Sequence, residues 1–98
     1  MKEGKYGTRR MQYERILAAD GYTLKDCVVL SFDFGSARRA YAFHYDLMNY
    51  RRNLYYFFDL YDEGAGRVNV ITSKSAEDAA ELRRLAEANK GQERTPTI

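Results

Sequence analysis

The chain has 98 residues, a formal net charge of +2 and one cysteine. A chain of this length forms one domain with a single core, and one cysteine excludes an internal disulfide. The longest apolar run, 54–58, is too short to span a bilayer, and no charged-then-apolar leader opens the chain. We therefore expect a single cytoplasmic domain over 1–98, ordered from about 8 to 90, with flexible tails at 1–7 and 91–98.

Charge is unevenly distributed along the chain. Residues 1–52 hold ten Lys or Arg against six Asp or Glu, whereas residues 53–98 hold six against eight. Adjacent arginine pairs occur four times, at 9–10, 38–39, 51–52 and 83–84. A moderately basic half is compatible with a nucleic acid or an acidic protein surface as partner, although a solvated face is the commoner meaning of such charge.

The first predicted element is a helix over 9–19. Tyr13, Ile16 and Leu17 recur at helical spacing and would share its buried face. The alternative is a strand over 11–19 that turns back at the following Asp-Gly pair. The spacing of the apolar residues favours the helix.

Alternating apolar residues predict four strands, over 27–34, 39–47, 54–61 and 67–72. Connections of two, six and five residues between them pair the strands so that every apolar set falls on one face. Asp33 then faces Arg38 across the first hairpin as an ion pair, and Phe58 lies beside Val70 in the last pair. Three independent loop lengths thus predict one antiparallel meander.

A second helix is predicted over 76–89, capped by Ser73 or Ser75 and ended by Gly91. Its narrow apolar stripe consists of Ala79, Leu82, Leu85 and Ala86. The predicted fold class is α+β: an N-terminal helix, a four-stranded antiparallel β-meander and a C-terminal helix, with both helices packed on one face of the sheet.

The predicted sheet has an apolar face and a mixed face. The apolar face comprises Val28, Leu30, Phe32, Phe34, Tyr41, Phe43, Tyr45, Leu47, Leu54, Tyr56, Phe58, Leu60, Val68 and Val70. We expect the mixed face to be open and to dock a partner together with the loop 48–53. The predicted binding residues are Tyr50, Arg51, Arg52, Tyr55, Phe57, Tyr61, Arg38 and Arg39. The alternative is a second small core of Val29, Phe57 and Ile71 under a loop or a terminus.

Catalytic and metal-binding signatures are weak. His44, the only histidine, would neighbour Cys27 in the predicted sheet, but a nucleophile pair also needs an orienting group and an oxyanion hole. His44, Asp46 and Asp59 lack the spacing of a metal site. We therefore expect a non-enzymatic protein with no catalytic residue, metal site or cofactor.

Two short segments resemble nucleic-acid-binding families. Residues 39–43, Arg-Ala-Tyr-Ala-Phe, resemble the first half of the RNA-recognition-motif signature, which implies base stacking on the two aromatic residues. Residues 73–75, Ser-Lys-Ser, resemble the element that opens the last helix of double-stranded-RNA-binding domains, whose lysines grip phosphates. Both matches are partial, because Ala40 replaces the glycine of the first family and acidic residues follow the second element.

The sequence favours a small protein-binding module of the adaptor or inhibitor type, a size that suits a phage or mobile-element product. The alternative is an RNA or single-stranded nucleic-acid-binding protein that uses the arginine pairs and tyrosines. A homodimer through Tyr55, Phe57 and Tyr61 is compatible with either function, and we expect no membrane contact.

Overall fold

The computed structural model of the chain describes residues 9–50, 54–59, 66–73 and 75–96, and for residues 9, 54–59 and 73 it describes the backbone. Its helices are α1 (Arg9–Ala19), α2 (Ala37–Met48) and α3 (Ala76–Ala88), with a single 3-10 turn at Leu24–Asp26. Its strands are β1 (Cys27–Asp33), β2 (Leu54–Asp59), β3 (Arg67–Ser73) and the short β4 (Gln92–Arg94). The predicted α+β class is therefore confirmed.

The described strands form one antiparallel sheet in the order β2-β3-β1-β4. β1 pairs with β3 along its whole length, from Cys27 opposite Ser73 to Asp33 opposite Arg67. β4 adds three residues to the other edge of β1. The antiparallel sheet is as predicted, but the meander is not. β3 and β4 flank β1, and the strand predicted over 39–47 beside β1 is absent from the described sheet.

The predicted strand over 39–47 is wrong, because these residues lie in α2. Ser36 caps the helix, and its Oγ accepts a hydrogen bond from the Arg39 N–H at 3.3 Å. Ala40, Phe43 and Leu47 are buried on the inner side of the helix. These three residues recur at helical spacing, although the aromatic residues of the same segment alternate as in a strand. The Ser36 cap and the alanines of the segment favour the helix.

The predicted hairpin at Gly35-Ser36 is consequently a strand-to-helix connection. Gly35 has a φ of 75°, and its N–H donates to Asp33 Oδ1 at 2.9 Å. The predicted Asp33–Arg38 pair does not form, since Asp33 Oδ2 lies 3.6 Å from a guanidinium nitrogen of Arg67 on the neighbouring strand. Arg67 stands directly opposite Asp33 in the β1–β3 register.

The helices do not share one face of the sheet, which corrects the prediction. On the first face, α2 and α3 cover a cluster comprising Leu30, Phe32, Phe34, Ala40, Phe43, Leu47, Val68, Val70, Ala79, Leu82 and Ala86. On the second face, Tyr13 and Leu17 of α1 pack with Leu24 and Ile71. The sheet is thus buried on both sides where these clusters lie.

The register of β2 with β3 differs from the prediction by two residues. Phe58 stands opposite Val68, and Tyr56 opposite Val70, whereas the sequence places Phe58 beside Val70. Since side chains alternate with a period of two, this shift keeps the predicted face of β3. Val68 and Val70 are accordingly buried in the first cluster.

The first and last helices agree closely with their predictions. α1 has the predicted bounds, although Ile16, expected on the buried face beside Leu17, is exposed. Ser75 caps α3, where its Oγ accepts from the Asp78 N–H at 3.3 Å. The predicted apolar stripe of α3 is buried at Ala79, Leu82 and Ala86 and half-buried at Leu85.

The tail after α3 forms β4 where the sequence predicts a flexible segment over 91–98. The chain leaves α3 through Lys90, and the Gly91 N–H donates to the Ala86 carbonyl at 2.8 Å. Glu93 accepts two hydrogen bonds from the Arg83 guanidinium, at 2.8 and 3.1 Å. β4 is exposed throughout, so it lacks the alternation that identifies half-buried strands.

Replacing Lys90 by glycine is expected to stabilise the fold by about 1 kcal/mol. Lys90 has a φ of 65°, a left-handed conformation that costs a side-chain-bearing residue about 1–2 kcal/mol and that glycine adopts freely. The greater freedom of glycine in the unfolded chain offsets part of the gain. Lys90→Ala is the matched control, because it removes the amine but keeps the strain. Urea unfolding should rank Lys90→Gly above both wild type and Lys90→Ala; equal stability of the two variants would contradict the assigned conformation.

Candidate functional site

The outer side of α2 carries a row of large apolar residues. Tyr41 is 47%, Tyr45 65% and Met48 62% exposed. These three residues, which we call the α2 stripe, follow one another at intervals of four and three, so they lie on one side of the helix. The side opposite carries the buried Phe43 and Leu47. The two other exposed large hydrophobic residues in the described part of the chain, Met11 at 49% and Ile16 at 44%, both lie on α1.

The α2 stripe was missed by the sequence analysis, which placed Tyr41 and Tyr45 in the core as part of a strand. Both the spacing of these residues along the helix and their chemical type distinguish the stripe from the core. In the segment 37–48 the phenylalanine and the leucine occupy the inner side of the helix, whereas both tyrosines lie on the outer side. A tyrosine keeps its hydroxyl in water more readily than a phenylalanine keeps its ring there.

The predicted binding residues divide into three groups. Arg38 and Arg39 lie in the first turn of α2 and are exposed. Tyr50 follows the end of α2, is half-buried, and donates its hydroxyl hydrogen to Asp78 Oδ1 at 3.0 Å. Tyr55 and Phe57 belong to β2, opposite Ile71 and Asn69, and their side chains lie outside the described residues, as do residues 51, 52 and 61.

The helix brings the two ends of the predicted site closer together than the sequence analysis expected. Leu47 follows Arg39 by eight positions. These positions span about 12 Å in an α-helix but about 26 Å in a strand. Arg38, three residues before Tyr41 on the same side of the helix, therefore borders the start of the stripe.

The second face of the sheet, predicted to be open, is buried at its centre. Ser31, Asn69 and Ile71 have no exposed surface. Asn69 Nδ2 donates to the Tyr13 hydroxyl of α1 at 3.0 Å. This supports the alternative of a second small core for Ile71, which is buried, and for Val29, which is half-buried against the same cluster. The side chain of Phe57 lies outside the described residues.

A polar cleft of about 310 Å³ lies beside the start of α2. We call it the basic cleft because Arg39, Lys90 and Arg94 border it. The other described residues of its lining are Asp33, Phe34, Gly35 and Gln92. Two of the three cations come from the turn after α3 and from β4. Neither was among the predicted binding residues; Arg94 lies in the tail predicted to be flexible, and Lys90 lies just before it.

Cys27 and His44 do not form the pair considered from the sequence. Cys27 packs against the cluster on the second face, whereas His44 belongs to α2 on the first. Burial, helped by the neighbouring Asp26 carboxylate, raises the pKa of the Cys27 thiol, and its Sγ donates to the Thr23 carbonyl at 3.4 Å. The thiol is therefore less ionised at neutral pH than a free cysteine, which disfavours nucleophilic chemistry.

Among the described residues, no three or more His, Cys, Asp or Glu side chains gather closely enough to hold a metal ion. Nor does any described helix have the length and apolar character needed to cross a bilayer. The chemical groups that the described surface offers are thus an aromatic and sulfur-containing stripe on α2 and a cluster of cations beside its start. Comparison of the chain with protein-family models, with curated proteins and with solved structures found no match.

Proposed function

We propose that the chain is a small non-enzymatic protein-binding module, of the adaptor or inhibitor type, that docks on another protein through the α2 stripe. The observation that carries this proposal is the exposure of Tyr41, Tyr45 and Met48 on one side of a helix whose other side is anchored in the core. Tyrosine, methionine and arginine are enriched in protein interfaces. Residues spaced by four and three along a helix are the usual anchors of a helix that lies in a groove.

The partner that fits this surface is a protein with an apolar groove and acidic residues at one end. Arg38 and Arg39 mark the start of α2, and the first turn contains no acidic residue. The apolar part of the groove would receive Tyr45 and Met48, and its acidic end would lie near Arg38, which precedes Tyr41 by three residues on the same side of the helix. Such charge complementarity fixes the direction in which the helix docks.

The anchoring of α2 makes this surface suitable for binding. Phe43 and Leu47 are buried beneath the stripe, and Asn89 Nδ2 of α3 donates to Asp46 Oδ2 at 2.8 Å. The helix is thereby held before any partner arrives, so little conformational entropy is lost on binding. The predicted role of Arg51, Arg52, Tyr55, Phe57 and Tyr61 in binding stays part of the proposal.

The test uses a photo-crosslinking amino acid at position 45 in the native host, with position 16 on α1 as control. Ile16 is 44% exposed and is therefore accessible as well. A partner joined at position 45 and not at position 16 is then purified. Its affinity for Tyr45→Ala is expected to be at least about tenfold lower than for wild type, because buried interface tyrosines often contribute more than 1 kcal/mol. Ile16→Ala should bind like wild type.

Two results would contradict this proposal. One is equal affinity of the purified partner for wild type and Tyr45→Ala. The other is a doubled mass in light scattering that returns to the monomer value in Tyr45→Ala, which would show that the stripe joins two copies of the chain instead. Tyr45→Ala is suitable for both measurements because its side chain is largely exposed, so the fold should tolerate the change.

A further inference from the structure

The basic cleft is built from segments far apart in the sequence. The end of β1 and the following loop supply Asp33 and Gly35, and the first turn of α2 supplies Arg39. Lys90 reaches the cleft from the turn after α3, and β4 adds Arg94. Pairing of β4 with β1, which places Gln92 opposite Asp33, holds these segments together.

The cations of the cleft are available to a ligand. Neither Arg39 nor Lys90 has a hydrogen-bond or ion-pair partner for its side chain among the described residues. Arg94 donates to the amide oxygen of Gln92 at 2.7 Å, a neutral partner that leaves the guanidinium charge uncompensated. The lining therefore presents three positive charges.

Among the described residues of the lining, the one acidic side chain is already engaged. Asp33 Oδ1 accepts the Gly35 N–H at 2.9 Å, and Asp33 Oδ2 lies 3.6 Å from Arg67. It therefore pairs with Arg67 and not with Arg39, Lys90 or Arg94. Like charges that converge on one cleft raise the local concentration of anions.

The start of α2 adds to this positive potential. The N-terminus of a helix carries a partial positive charge, which acidic residues in the first turn usually offset. α3 follows that pattern with Glu77 and Asp78, whereas α2 has Arg38 and Arg39 in its first turn and no acidic residue. Two arginines beside the partial positive charge of this helix end are electrostatically unfavourable, and an anion bound in the basic cleft would compensate that charge.

The shape and lining of the cleft select a compact anion over a nucleic-acid strand. Single-strand binders combine cations with aromatic rings on which bases stack. The aromatic residue in this lining, Phe34, is only 1% exposed, and its ring lies 4.8 Å from that of Phe43 between centroids. It is therefore not available for stacking.

We propose that the basic cleft binds a phosphate monoester through Arg39, Lys90 and Arg94. A phosphate monoester carries about 1.5–2 negative charges near neutral pH and offers three acceptor oxygens, which suits three converging cations better than a single carboxylate does. The phosphate can belong to a phosphorylated protein segment or to a small phosphorylated molecule. This site is separate from the α2 stripe, because Arg39 and Tyr41 lie about 160° apart around the helix axis.

The test is an NMR titration of the full chain with inorganic phosphate, and separately with a phosphoserine peptide, at constant ionic strength. We expect saturable shifts of the Gly35 and Gln92 amide signals with both ligands, larger than those caused by chloride. A peptide that binds about tenfold more tightly than inorganic phosphate would identify a phosphorylated protein as the source. Similar affinities would show that the cleft recognises the phosphate group alone, the result expected for a small phosphorylated molecule.

Three variants assign the binding to the cleft. Lys90→Gly and Arg39→Gln should each lower the affinity for phosphate by about threefold to fivefold, the effect expected for an exposed charge pair. Lys90→Gly removes a cation while relieving backbone strain, so loss of binding would not reflect loss of the fold. Arg38→Gln is the matched control, because Arg38 is the neighbouring arginine and lies outside the lining; its affinity should equal that of wild type.

Three outcomes would overturn the proposal. Shifts of equal size with chloride and phosphate would mean a general salt effect. Equal losses in Arg38→Gln and Lys90→Gly would mean diffuse attraction by surface charge. Tighter binding of a single-stranded oligonucleotide than of phosphate, at equal phosphate concentration and with steep salt dependence, would identify a nucleic acid as the ligand instead.

Discussion

Phe43→Ala is expected to lower the free energy of unfolding by about 3–5 kcal/mol, the range found when a buried aromatic ring is removed from a core. Phe43 is fully buried. Its ring centroid lies 4.8 Å from that of Phe34 and 5.7 Å from that of Phe32, so both rings lose contacts when it is removed. Urea unfolding followed by circular dichroism measures the loss, and for a domain of this size the melting temperature should fall by more than about 12 °C.

The matched variant is Tyr45→Ala, two residues along the same helix. Tyr45 is 65% exposed, so its removal should change the free energy of unfolding by less than about 0.5 kcal/mol. This pair separates the helix from the strand predicted by the sequence. In a strand, residues 43 and 45 share one face and both substitutions would be costly. Similar losses for the two variants would therefore contradict the assignment of α2.

The segments predicted correctly are those in which one periodicity dominates. In β1 and β3, alternation places Leu30 opposite Val70 and Phe32 opposite Val68, and all four are buried together. In α3, a serine cap is followed by acidic residues and a helical apolar stripe, so every local signal agrees. Local signals of this kind do not depend on what the rest of the chain does, and for that reason they can be interpreted from the sequence.

α2 was mispredicted because two periodicities overlap in it. Aromatic residues alternate along 41–45, while Ala40, Phe43 and Leu47 recur at helical spacing. The hydrophobic pattern alone does not choose between them. The choice follows from the cap at Ser36 and from tertiary pairing, because β3 occupies the edge of β1 that a hairpin partner would have used. The local sequence pattern of one segment does not show which distant segment will pair with a strand edge.

The candidate site was only partly predictable for the same reason. Arg38 and Arg39 were identified from their charge, which needs no knowledge of the fold. Tyr41 and Tyr45 were assigned to the core because the strand assignment placed them there. Arg94 was missed because the exposed β4 lacks the alternation of a half-buried strand, and its pairing with the edge of β1 is a tertiary contact. Lys90 was missed because it reaches the cleft only through the turn that joins α3 to β4.

The revised position of α2 changes how the surface is interpreted. With a strand at 39–47, the tyrosines would stabilise the fold and a sheet face would bind. With a helix, the buried Phe43 and Leu47 stabilise the fold, and the exposed Tyr41 and Tyr45 are available for binding. The proposed docking surface and the proposed phosphate site then lie on different sides of one helix, so they can be disrupted separately. Loss of phosphate binding with retained partner binding, or the reverse, is therefore measurable.

Gly66→Ala is expected to destabilise the fold by about 3 kcal/mol or more, because it disturbs the start of this same helix. A Cβ atom at position 66 would lie 2.8 Å from the Cβ of Ala40 and closer still to the carbonyl oxygen of Ser36. Ser36 is the cap of α2, so its carbonyl cannot yield without moving the first helical turn. Gly66 is itself fixed, since its carbonyl accepts the Phe34 N–H at 2.8 Å. Overpacking against backbone atoms belongs at the upper end of the usual 1–3 kcal/mol range or above it.

Gly35→Ala is the control that separates crowding from backbone conformation. Apart from Gly35 itself and its two chain neighbours, no residue has a heavy atom within 4 Å of a Cβ built at Gly35, but its φ of 75° costs an alanine about 1–2 kcal/mol. Urea unfolding of both variants should therefore rank Gly66→Ala as the more damaging. If the two losses were equal, or if Gly35→Ala were the less stable variant, the close approach of β3 to the cap of α2 would be wrong. The position of Arg39 in the basic cleft would then be wrong as well, because the same helical turn places that arginine.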